Sequence, residues 1–300
     1  MNRKWIYYAI LIAFAFTFAL AKAMSLTLAA GFNGGTYFEI GKSLNLVKKF
    51  KFSVLTTKGS IDNVKKVSSG VAQLGLSQID ILTNSVLVDD STRARVKVLL
   101  PVYREEVHVI TRGNYNSLKD LKDKTVSIGE NGSGIAATAN IIFVALKMKN
   151  QVQFDHSSTA DGLKKLKEGD VDAVFIVAGA PVEAIKNLDN SNRFIPIKGA
   201  ERDLLTSDFF PYRESMIPSS MYSWFGSVQT ISVSSVIIAS SSLGNKMAAN
   251  LIKGIFKKRG QLAQKHPKWR ELNRGYAIST IEAFAEDAHP AAFNALQSVR

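Results

Sequence analysis

Short apolar segments and amphipathic segments alternate along most of the chain. Residues 25–30 alternate apolar and polar side chains, as a half-buried strand does. In contrast, Ile61, Val64 and Val67 recur every three residues, which places them on one face of a helix that Ser60 is well placed to cap. Because strands and helices follow one another with short connections, the pattern predicts an α/β fold with a largely parallel sheet.

The same reasoning gives bounds for the other elements. The predicted strands and extended runs are 52–57, 73–78, 95–101, 102–110, 125–129, 152–154, 169–177, 193–197 and 228–239. The predicted helices follow Gly35 and cover 61–67, 79–82, 117–122, 135–148, 160–167, 182–187, 247–263 and 291–296. Residues 199–227 contain aromatic residues and prolines with little periodicity, and we predict irregular structure there.

Two glycine-rich turns, residues 31–35 and 130–134, each stand between a predicted strand and a predicted helix. Glycine allows a positive φ and a close approach to the main chain. The first amides of the following helix lack intrahelical partners and carry the positive end of the helix dipole. Each turn can therefore hold a carboxylate or another anion, and the repeated unit predicts two lobes that face each other.

Residues 1–23 have the pattern of a secretory signal peptide. Arg3 and Lys4 precede an uncharged apolar run over residues 5–21, and the small residues that follow predict cleavage after Ala21 or Ala23. The alternative is an uncleaved anchor, but the run is slightly shorter than the ~20 residues that a spanning helix needs. The chain has no cysteine, and export without disulfides fits a bacterial periplasm.

Length and net charge narrow the range of partners. The 300 residues carry a formal net charge of +13; loss of residues 1–23 removes three cations and no acid, which lowers +13 to +10. The 277 residues left (300 minus 23) are enough for two lobes of ordinary domain size. A basic surface outside the cytoplasm favours an anionic solute or an acidic partner over a nucleic acid, and most individual lysines are expected to be solvated.

Motifs of the common enzyme classes are missing from the sequence. Ser133 lacks the flanking glycines that a nucleophile elbow requires. The four histidines show no metal-binding spacing, and there is no Walker motif. Without cysteine there is no thiol nucleophile. We therefore predict no catalytic residue, no metal and no cofactor.

One motif favours an enzyme nevertheless. Residues 132–137 match G-x-G-x-x-A, follow a predicted strand and open a predicted helix, and Asp155 comes about 20 residues later. This is the arrangement of a dinucleotide-binding turn. The same turn would hold a carboxylate equally well. An exported dinucleotide-binding enzyme therefore stays open as an alternative.

In their order and spacing, several segments resemble the extracytoplasmic solute-binding proteins of TRAP transporters (tripartite ATP-independent periplasmic transporters) of the TAXI type. No single segment is a strong signal, but together they run along nearly the whole chain after residue 23. They are residues 34–41, 57–64, 73–80, Tyr103 with Glu106 and His108, 117–129, 132–134, 169–175, 178–181 and 289–292.

This resemblance implies a two-lobed periplasmic-binding-protein fold of type II, in which each lobe is a mostly parallel sheet flanked by helices. Residues 24–105 and 232–300 would form lobe 1 and residues 106–231 lobe 2, joined by hinge strands near 102–110 and 228–240. The resemblance also implies a periplasmic binding protein rather than an enzyme. It would capture a small carboxylated solute, a glutamate-like amino acid or a dicarboxylate, and deliver it to membrane-embedded TRAP permease subunits.

The two turns and the resemblance together predict a ligand site between the lobes. Backbone amides and side-chain hydrogen bonds would hold the solute, and closure would exclude water and strengthen these contacts. The predicted ligand-binding residues are Gly35, Thr36, Tyr37, Thr57, Ser60, Gln78, Gly132, Ser133, Gly134, Ala178 and Gly179. Lys58 stands where the family has glycine, and Arg104 where it tends to have proline. A lysine beside the predicted cleft would change which solute charge the site prefers.

Two further alternatives stay open. The first is a binding protein of an ATP-driven (ABC) importer or a ligand sensor, which the sequence does not separate from a TRAP component. The second is a surface protein that recognises anions through its basic face without a pocket.

Overall fold

The computed structural model describes residues 24–208 and 210–299, in which ten strands join into one continuous sheet. The predicted signal peptide, residues 1–23, lies outside the described residues. The strands are β1 (Met24–Ala29), β2 (Phe50–Leu55), β3 (Leu74–Gln78), β4 (Val96–Thr111), β5 (Thr125–Ser127), β6 (Gln153–Asp155), β7 (Ala173–Ala178), β8 (Arg193–Phe194), β9 (Tyr212–Ile217) and β10 (Val228–Ser240).

Helices fill most of the connections between the strands. They are α1 (Thr36–Ser43), α2 (Ser60–Ser68), α3 (Ile79–Thr83), α4 (Asp90–Arg95), α5 (Gly134–Ala145), α6 (Thr159–Glu168), α7 (Gly199–Leu205), α8 (Asn245–Lys265), α9 (Arg274–Ala283) and α10 (Ala292–Gln297). The helix predicted from its three-residue spacing is α2, and it buries Val64 and Val67. Ser60 does not cap it: Gly59 precedes the helix with a φ of 110°, and Ser60 is its first residue.

The strand order separates the sheet into two lobes. It runs β2-β1-β3-β10-β4-β7-β5-β6, with β8 paired to β4 and β9 paired to β10. In one lobe β1 pairs in parallel with β2 and β3, and in the other β5 pairs in parallel with β6 and β7. The fold is therefore the predicted two-lobed α/β arrangement, in which each lobe has a mostly parallel sheet.

The long strands β4 and β10 connect the lobes. They have 16 and 13 residues and run antiparallel to each other. Residues 228–233 of β10 pair with β9, whereas residues 235–239 pair with β3. Likewise, β4 pairs with β7 only from residue 106 onward. The predicted hinge strands are therefore present, and the two runs predicted at 95–101 and 102–110 are one strand.

Several predictions of secondary structure are wrong. Residues 199–227 contain α7 and β9, and neither α4 nor α9 was predicted. The helix predicted over 182–187 is only a 3₁₀ turn, Glu183–Ile185, and the strand predicted over 193–197 is only β8. Pro196 accounts for the short strand, because proline has no N–H for a ladder bond. Buried and exposed residues do not alternate regularly along β9, so its sequence does not show the pattern of a half-buried strand. Its place in the sheet depends on pairing with β10.

Helix α8 covers the core of the first lobe. Its apolar side chains Leu251, Ile252, Ile255 and Phe256 are buried, whereas Lys253 and Lys257 are exposed. This division follows the helical period and explains how a 21-residue helix with many cations packs on an apolar core. Within residues 24–208 and 210–299, no helix combines the length and the apolar character that crossing a bilayer requires.

Candidate functional site

A cleft of about 230 Å³ lies between the two lobes. Both glycine-rich turns, the end of β3, the crossing part of β4 and the end of β7 form its wall. Eight of the eleven predicted ligand-binding residues line this cleft, and their contact with a solute stays a prediction. The eight are Gly35, Thr36, Tyr37, Ser60, Gln78, Ser133, Gly134 and Ala178.

The other three predicted residues lie outside the cleft wall. Thr57 is buried behind it, where its Oγ1 donates to Asn63 Oδ1 at 2.6 Å and accepts from the Gly59 amide at 3.2 Å, so it shapes the loop before α2. Gly132 adopts a φ of 83° within the second turn. Gly179 packs against Lys268, whose Cε would lie 2.6 Å from an added Cβ. These residues position the wall rather than face the cleft.

The first glycine-rich turn leads directly into α1. Gly34 has a φ of 83°, which favours glycine, and Gly35 is the residue before the helix. No side chain caps α1, because Gly35 has none to offer. The first amides of α1, starting at Thr36, are therefore free of side-chain partners and face the cleft with the positive end of the helix dipole.

The second turn leads into α5, and its helix start is capped. Ser133 Oγ accepts a hydrogen bond from the Ala136 amide at 3.1 Å. The side chain of Ser133 therefore already has a structural task, and what it offers the cleft in addition is its hydroxyl proton. Gly129 and Gly132, with φ values of 82° and 83°, give the turn its shape.

The two lobes approach each other closely at Gly134. An added Cβ there would lie 1.8 Å from Gln78 Oε1 and 2.7 Å from Ser60 Oγ. Gln78 and Ser60 belong to the first lobe, whereas Gly134 opens α5 of the second. Glycine at this position is thus required by the contact between the lobes rather than by its own φ.

A chain of hydrogen bonds joins the lobes at this contact. Ser60 Oγ donates to Gln78 Oε1 at 2.8 Å, and Gln78 Nε2 donates to Thr138 Oγ1 at 3.0 Å. Thr138 Oγ1 and Tyr212 Oη both donate to Asp80 Oδ2, at 2.7 and 3.0 Å. Asp80 is buried, and this burial raises its pKa to about 6. These hydrogen bonds fix the side chain of Gln78 at the cleft wall, because Ser60 binds its oxygen and Thr138 binds its nitrogen.

Glu105 is the most unusual residue of the cleft, and it is not among the predicted ligand-binding residues. It lines the cleft, yet the whole residue is only 3% exposed. Its Oε1 has no hydrogen-bond partner among the described residues, although the hydroxyls of Tyr37, Ser235 and Tyr103 surround the carboxyl group. Burial, with a contribution from the charge of Asp80, raises the pKa of Glu105 to about 8. The feature of the sequence that could have indicated Glu105 is an acidic residue within a long apolar strand.

The remaining walls of the cleft are mostly apolar, and most of their residues were not predicted. The end of β7 and the segment after it contribute the apolar side of the second lobe. Lys58 and Glu183 are exposed at the cleft, and Phe32 is 64% exposed. The unpredicted lining residues are Gly31, Phe32, Gly34, Lys58, Gly59, Tyr103, Glu105, Ile135, Thr159, Ala160, Ile176, Val177, Val182, Glu183 and Ala184.

Asp155 bears on the dinucleotide alternative. A dinucleotide-binding turn needs an acid that is free to bind a ribose. Here the Asp155 carboxylate accepts hydrogen bonds from Lys165 Nζ and from the Ser157 amide, and these contacts hold its pKa near 2 despite partial burial. Asp155 does not line the cleft. The geometry therefore favours the anion-binding interpretation of the turn over the dinucleotide one.

Solved structures with a similar fold come from two-lobed binding proteins. MatC from Rhodopseudomonas palustris with bound malate has a TM-score of 0.60 and 13% identity over 92% of this chain and 99% of its own. An ancestral arginine-binding protein bound to arginine has a TM-score of 0.53 and 15% identity over 82% of this chain and 97% of its own. The GluR0 ligand-binding core from Nostoc punctiforme with L-glutamate has 0.51 and 15%, over 82% of this chain and 100% of its own.

At these identities the likeness is one of fold alone. It agrees with the strand order and with the two crossing strands described above. The sequence itself matches one protein family over residues 28–297, which include both glycine-rich turns, both crossing strands and the whole cleft. The chain belongs to the NMT1-like family.

Proposed function

We propose that this protein binds a small carboxylated solute, a glutamate-like amino acid or a dicarboxylate, between its lobes and delivers it to the permease subunits of a TAXI-type TRAP transporter. The observation that carries this proposal is that two helix N-termini, one from each lobe, open onto a single cleft. Helix N-termini hold anions through free amides and the helix dipole. Proteins of similar fold contain malate, arginine and glutamate, which all bear a carboxylate.

In this proposal residues 24–105 and 232–300 form lobe 1, and residues 106–231 form lobe 2. The pairing of the crossing strands supports these boundaries. β10 changes its partner from β9 to β3 between residues 233 and 235, and β4 gains β7 as a partner at residue 106. Closure would therefore bend both strands near these positions.

The proposed contacts follow from the placement of the cleft residues. The first amides of α1 and α5 would hold the carboxylate of the solute, and nearby hydroxyl and amide side chains would orient it. These side chains are Thr36, Tyr37, Ser60, Gln78 and Ser133. Gly35, Gly134 and Ala178 would admit the solute close to the main chain, while Thr57, Gly132 and Gly179 act from behind the wall. Closure would exclude water and strengthen each contact.

Thermal unfolding of residues 24–300 with a panel of amino acids and di-acids tests the binding function. A solute present at ~100 times its dissociation constant stabilises the folded protein by about 2.7 kcal/mol. We expect at least one carboxylated solute to raise the melting temperature in this way. A broad panel without any shift would contradict the proposal.

A pair of glycine variants tests the location of the site. In Gly134→Ala, the new methyl group displaces Gln78 from its contacts with Ser60 and Thr138, so we expect solute affinity to fall by roughly tenfold or more. The matched control is Gly260→Ala on α8, where an added Cβ meets open space. Unchanged affinity in Gly134→Ala would place the site elsewhere.

The periplasmic location and the transporter partner rest on the sequence alone. The N-terminal pattern and the absence of cysteine support export, with cleavage after Ala21 or Ala23. An ABC importer or a sensor is an equally consistent partner on fold alone. Reconstitution with a TRAP permease and, separately, with an ABC importer distinguishes them, because a TRAP permease transports the solute on an ion gradient without ATP, whereas an ABC importer requires ATP.

A further inference from the structure

We propose that the cleft selects solutes that carry a primary ammonium group next to their carboxylate, and that Glu105 accepts the hydrogen bonds of this ammonium group. The inference rests on the proposed function, because it concerns the same cleft. It narrows the solute class from carboxylated molecules in general to amino acids, and it separates them from dicarboxylates.

Glu105 lies on β4, opposite Val233 of β10, at the point where both strands pass between the lobes. Strand alternation places Tyr103 on the same face, and both residues line the cleft. Glu105 is more than nine-tenths buried, and its Oε1 has no hydrogen-bond partner in residues 24–208 and 210–299. The structure thus places a buried acceptor without a partner among the described residues at the wall of the cleft.

In the part of the chain that the structure describes, no lysine or arginine forms an ion pair with this carboxylate. The buried Lys268 binds Glu106 and Glu271 instead, with Nζ to oxygen distances of 2.9 and 2.6 Å. Lys58 lines the cleft but is exposed to solvent. A buried carboxylate without a partner costs much more than one that is paired and hydrogen-bonded. An ammonium group on the solute would supply the missing partner.

The acceptors on this face of β4 match the donors of an ammonium group. Besides Glu105 Oε1, the buried Tyr103 Oη also lacks a partner among the described residues. An ammonium group offers three donors and no acceptor, and a hydroxyl can accept one of them. The carboxylate and the hydroxyl on one face of β4 therefore suit an ammonium group, and the helix N-termini at α1 and α5 suit the adjoining carboxylate.

A dicarboxylate fits these surroundings less well. Its second carboxylate would lie beside Glu105 and near the charge of Asp80, and the buried cation described here, Lys268, is already paired with Glu106 and Glu271. Such a solute would bind only while Glu105 is protonated and donates its own proton. The groups that face Glu105 from the packed elements are Tyr37 on α1, Asp80 on α3, Tyr103 on β4 and Ser235 on β10, whereas Tyr276 on α9 lies on the opposite face of β4 with Arg104.

The two modes of binding predict opposite pH dependences. Because burial raises the pKa of Glu105 to about 8, the carboxylate is ionised only partly at pH 7. Binding of an ammonium group needs the ionised form, so its affinity should rise up to tenfold per pH unit between pH 6 and 8. Binding of a second carboxylate needs the protonated form, and its affinity should fall as the pH rises through 8.

Titration calorimetry with matched solutes tests the proposal. Each pair consists of an amino acid and the same molecule without its amino group, for example L-glutamate with glutarate and L-alanine with propionate. We expect the best amino acid to bind on the order of 100-fold more tightly than its partner, because the partner leaves Glu105 unpaired. Glu105→Gln should lose most of this preference, and the exposed Glu282→Gln on α9 is the matched control.

The outcomes separate this inference from the proposed function. If glutarate binds as tightly as glutamate, or if Glu105→Gln keeps the preference for the amino group, the inference is wrong while the binding function stands. If the wild-type protein binds neither acids nor amino acids, the proposed function fails and the inference with it. Should Glu105→Gln fold poorly, the same comparison on the wild-type protein between pH 6 and 8 decides through the sign of its pH dependence.

Discussion

Glu105 and Glu106 are neighbours on β4 with opposite surroundings. Both are buried, at 3% and 8% exposure. Glu106 accepts from Lys268 Nζ at 2.9 and 3.0 Å and from the Ala180 amide at 2.8 Å, whereas Glu105 Oε1 has no partner in the described residues. Strand alternation explains the difference, because consecutive side chains point to opposite faces of the sheet. One face holds the lobes together, and the other faces the cleft.

The comparison teaches that burial alone does not define a role. The pKa of each acid is raised, in both cases chiefly by burial. The increase is opposed for Glu106 by the charge of Lys268 and the bond from Ala180, but for Glu105 only by neutral hydroxyls nearby. Glu106 is therefore part of the fixed structure. Glu105 is buried without a charged partner among the described residues, which is the pattern expected of a functional group at a binding site.

The largest expected effect comes from removing the cation of the paired face. In Lys268→Met, Glu106 and Glu271 lose their shared ammonium group, and Glu106 remains buried with its charge uncompensated. We expect the free energy of unfolding to fall by about 3–5 kcal/mol, measured by urea denaturation at pH 7. The double variant Lys268→Met, Glu106→Gln should recover part of this loss. A loss below ~1 kcal/mol would show that the pair contributes no more than a surface ion pair.

The next largest effect has the opposite sign. In the unfolded chain Glu105 titrates near 4.5, and in the folded protein its pKa is about 8. The folded state thus binds the proton more tightly, and the stability that this contributes is present below pH 4.5 and is lost as the pH rises to 8. Glu105→Gln, which never ionises, should match the wild type at pH 4 and exceed it by about 4 kcal/mol at pH 8, in the absence of solute.

The control for this prediction is the pH series itself. Urea denaturation of both proteins at pH 4, 6 and 8 should show a difference that grows with pH. A constant difference at all three values would mean that the substitution acts through packing and that Glu105 titrates normally.

The hydroxyl groups of Tyr222 and Tyr103 differ in the same way as the carboxyl groups of Glu106 and Glu105: one is hydrogen-bonded, and the other has no partner among the described residues. On the paired face, Tyr222 Oη accepts from the Val182 amide at 2.8 Å and donates to His108 Nε2 at 3.0 Å, because His108 Nδ1 donates to the Glu106 carbonyl. Tyr222→Phe leaves the buried His108 and the amide of the half-buried Val182 unpaired, so we expect a loss of about 2 kcal/mol. Tyr103→Phe removes a hydroxyl that has no partner among the described residues, so we expect a change within ~0.5 kcal/mol.

Thermal unfolding of the two variants beside the wild type measures this difference. Equal losses would contradict the distinction between the two faces. A large loss of stability in Tyr103→Phe alone would indicate that the Tyr103 hydroxyl forms a hydrogen bond within the protein. This result would remove one acceptor from the proposed ammonium site.

The fold and much of the cleft were predictable from the sequence, because they depend on local patterns. The three-residue spacing around Val64 and Val67 marked α2, and glycines between a strand and a helix marked both turns. The roles of Glu105 and Glu106 were not predictable. Both are acids in one apolar strand, and the partner that distinguishes them, Lys268, is 162 residues from Glu106 in the chain. Such a pairing is a property of the tertiary structure.

The same limit applies to individual site residues, whose contact with a solute stays a prediction. Thr57 and Gly179 occupy positions that suit a ligand in sequence, but in the fold they pack behind the cleft wall. Ser60 was predicted as a helix cap, yet its hydroxyl bonds to Gln78 across the floor of the cleft. For Thr57 and Ser60 the direction of the side chain decides the contacts, and for Gly179 the packing of the distant Lys268 does so; local sequence specifies neither.

The smallest expected effect concerns Arg104, the cation that stands between Tyr103 and Glu105 in the sequence. Its guanidinium lies over the ring of Tyr276, with Cζ 4.9 Å from the ring centroid, and its side chain is exposed. Arg104→Met should therefore cost only about 0.5 kcal/mol of stability, the contribution of an exposed cation–π contact. It should leave the difference between wild type and Glu105→Gln at pH 8 unchanged, since Arg104 points away from the carboxyl of Glu105. If instead that difference grows in the Arg104→Met background, Arg104 stabilises the ionised form of Glu105, and the protein supplies part of the positive charge that we assign to the solute.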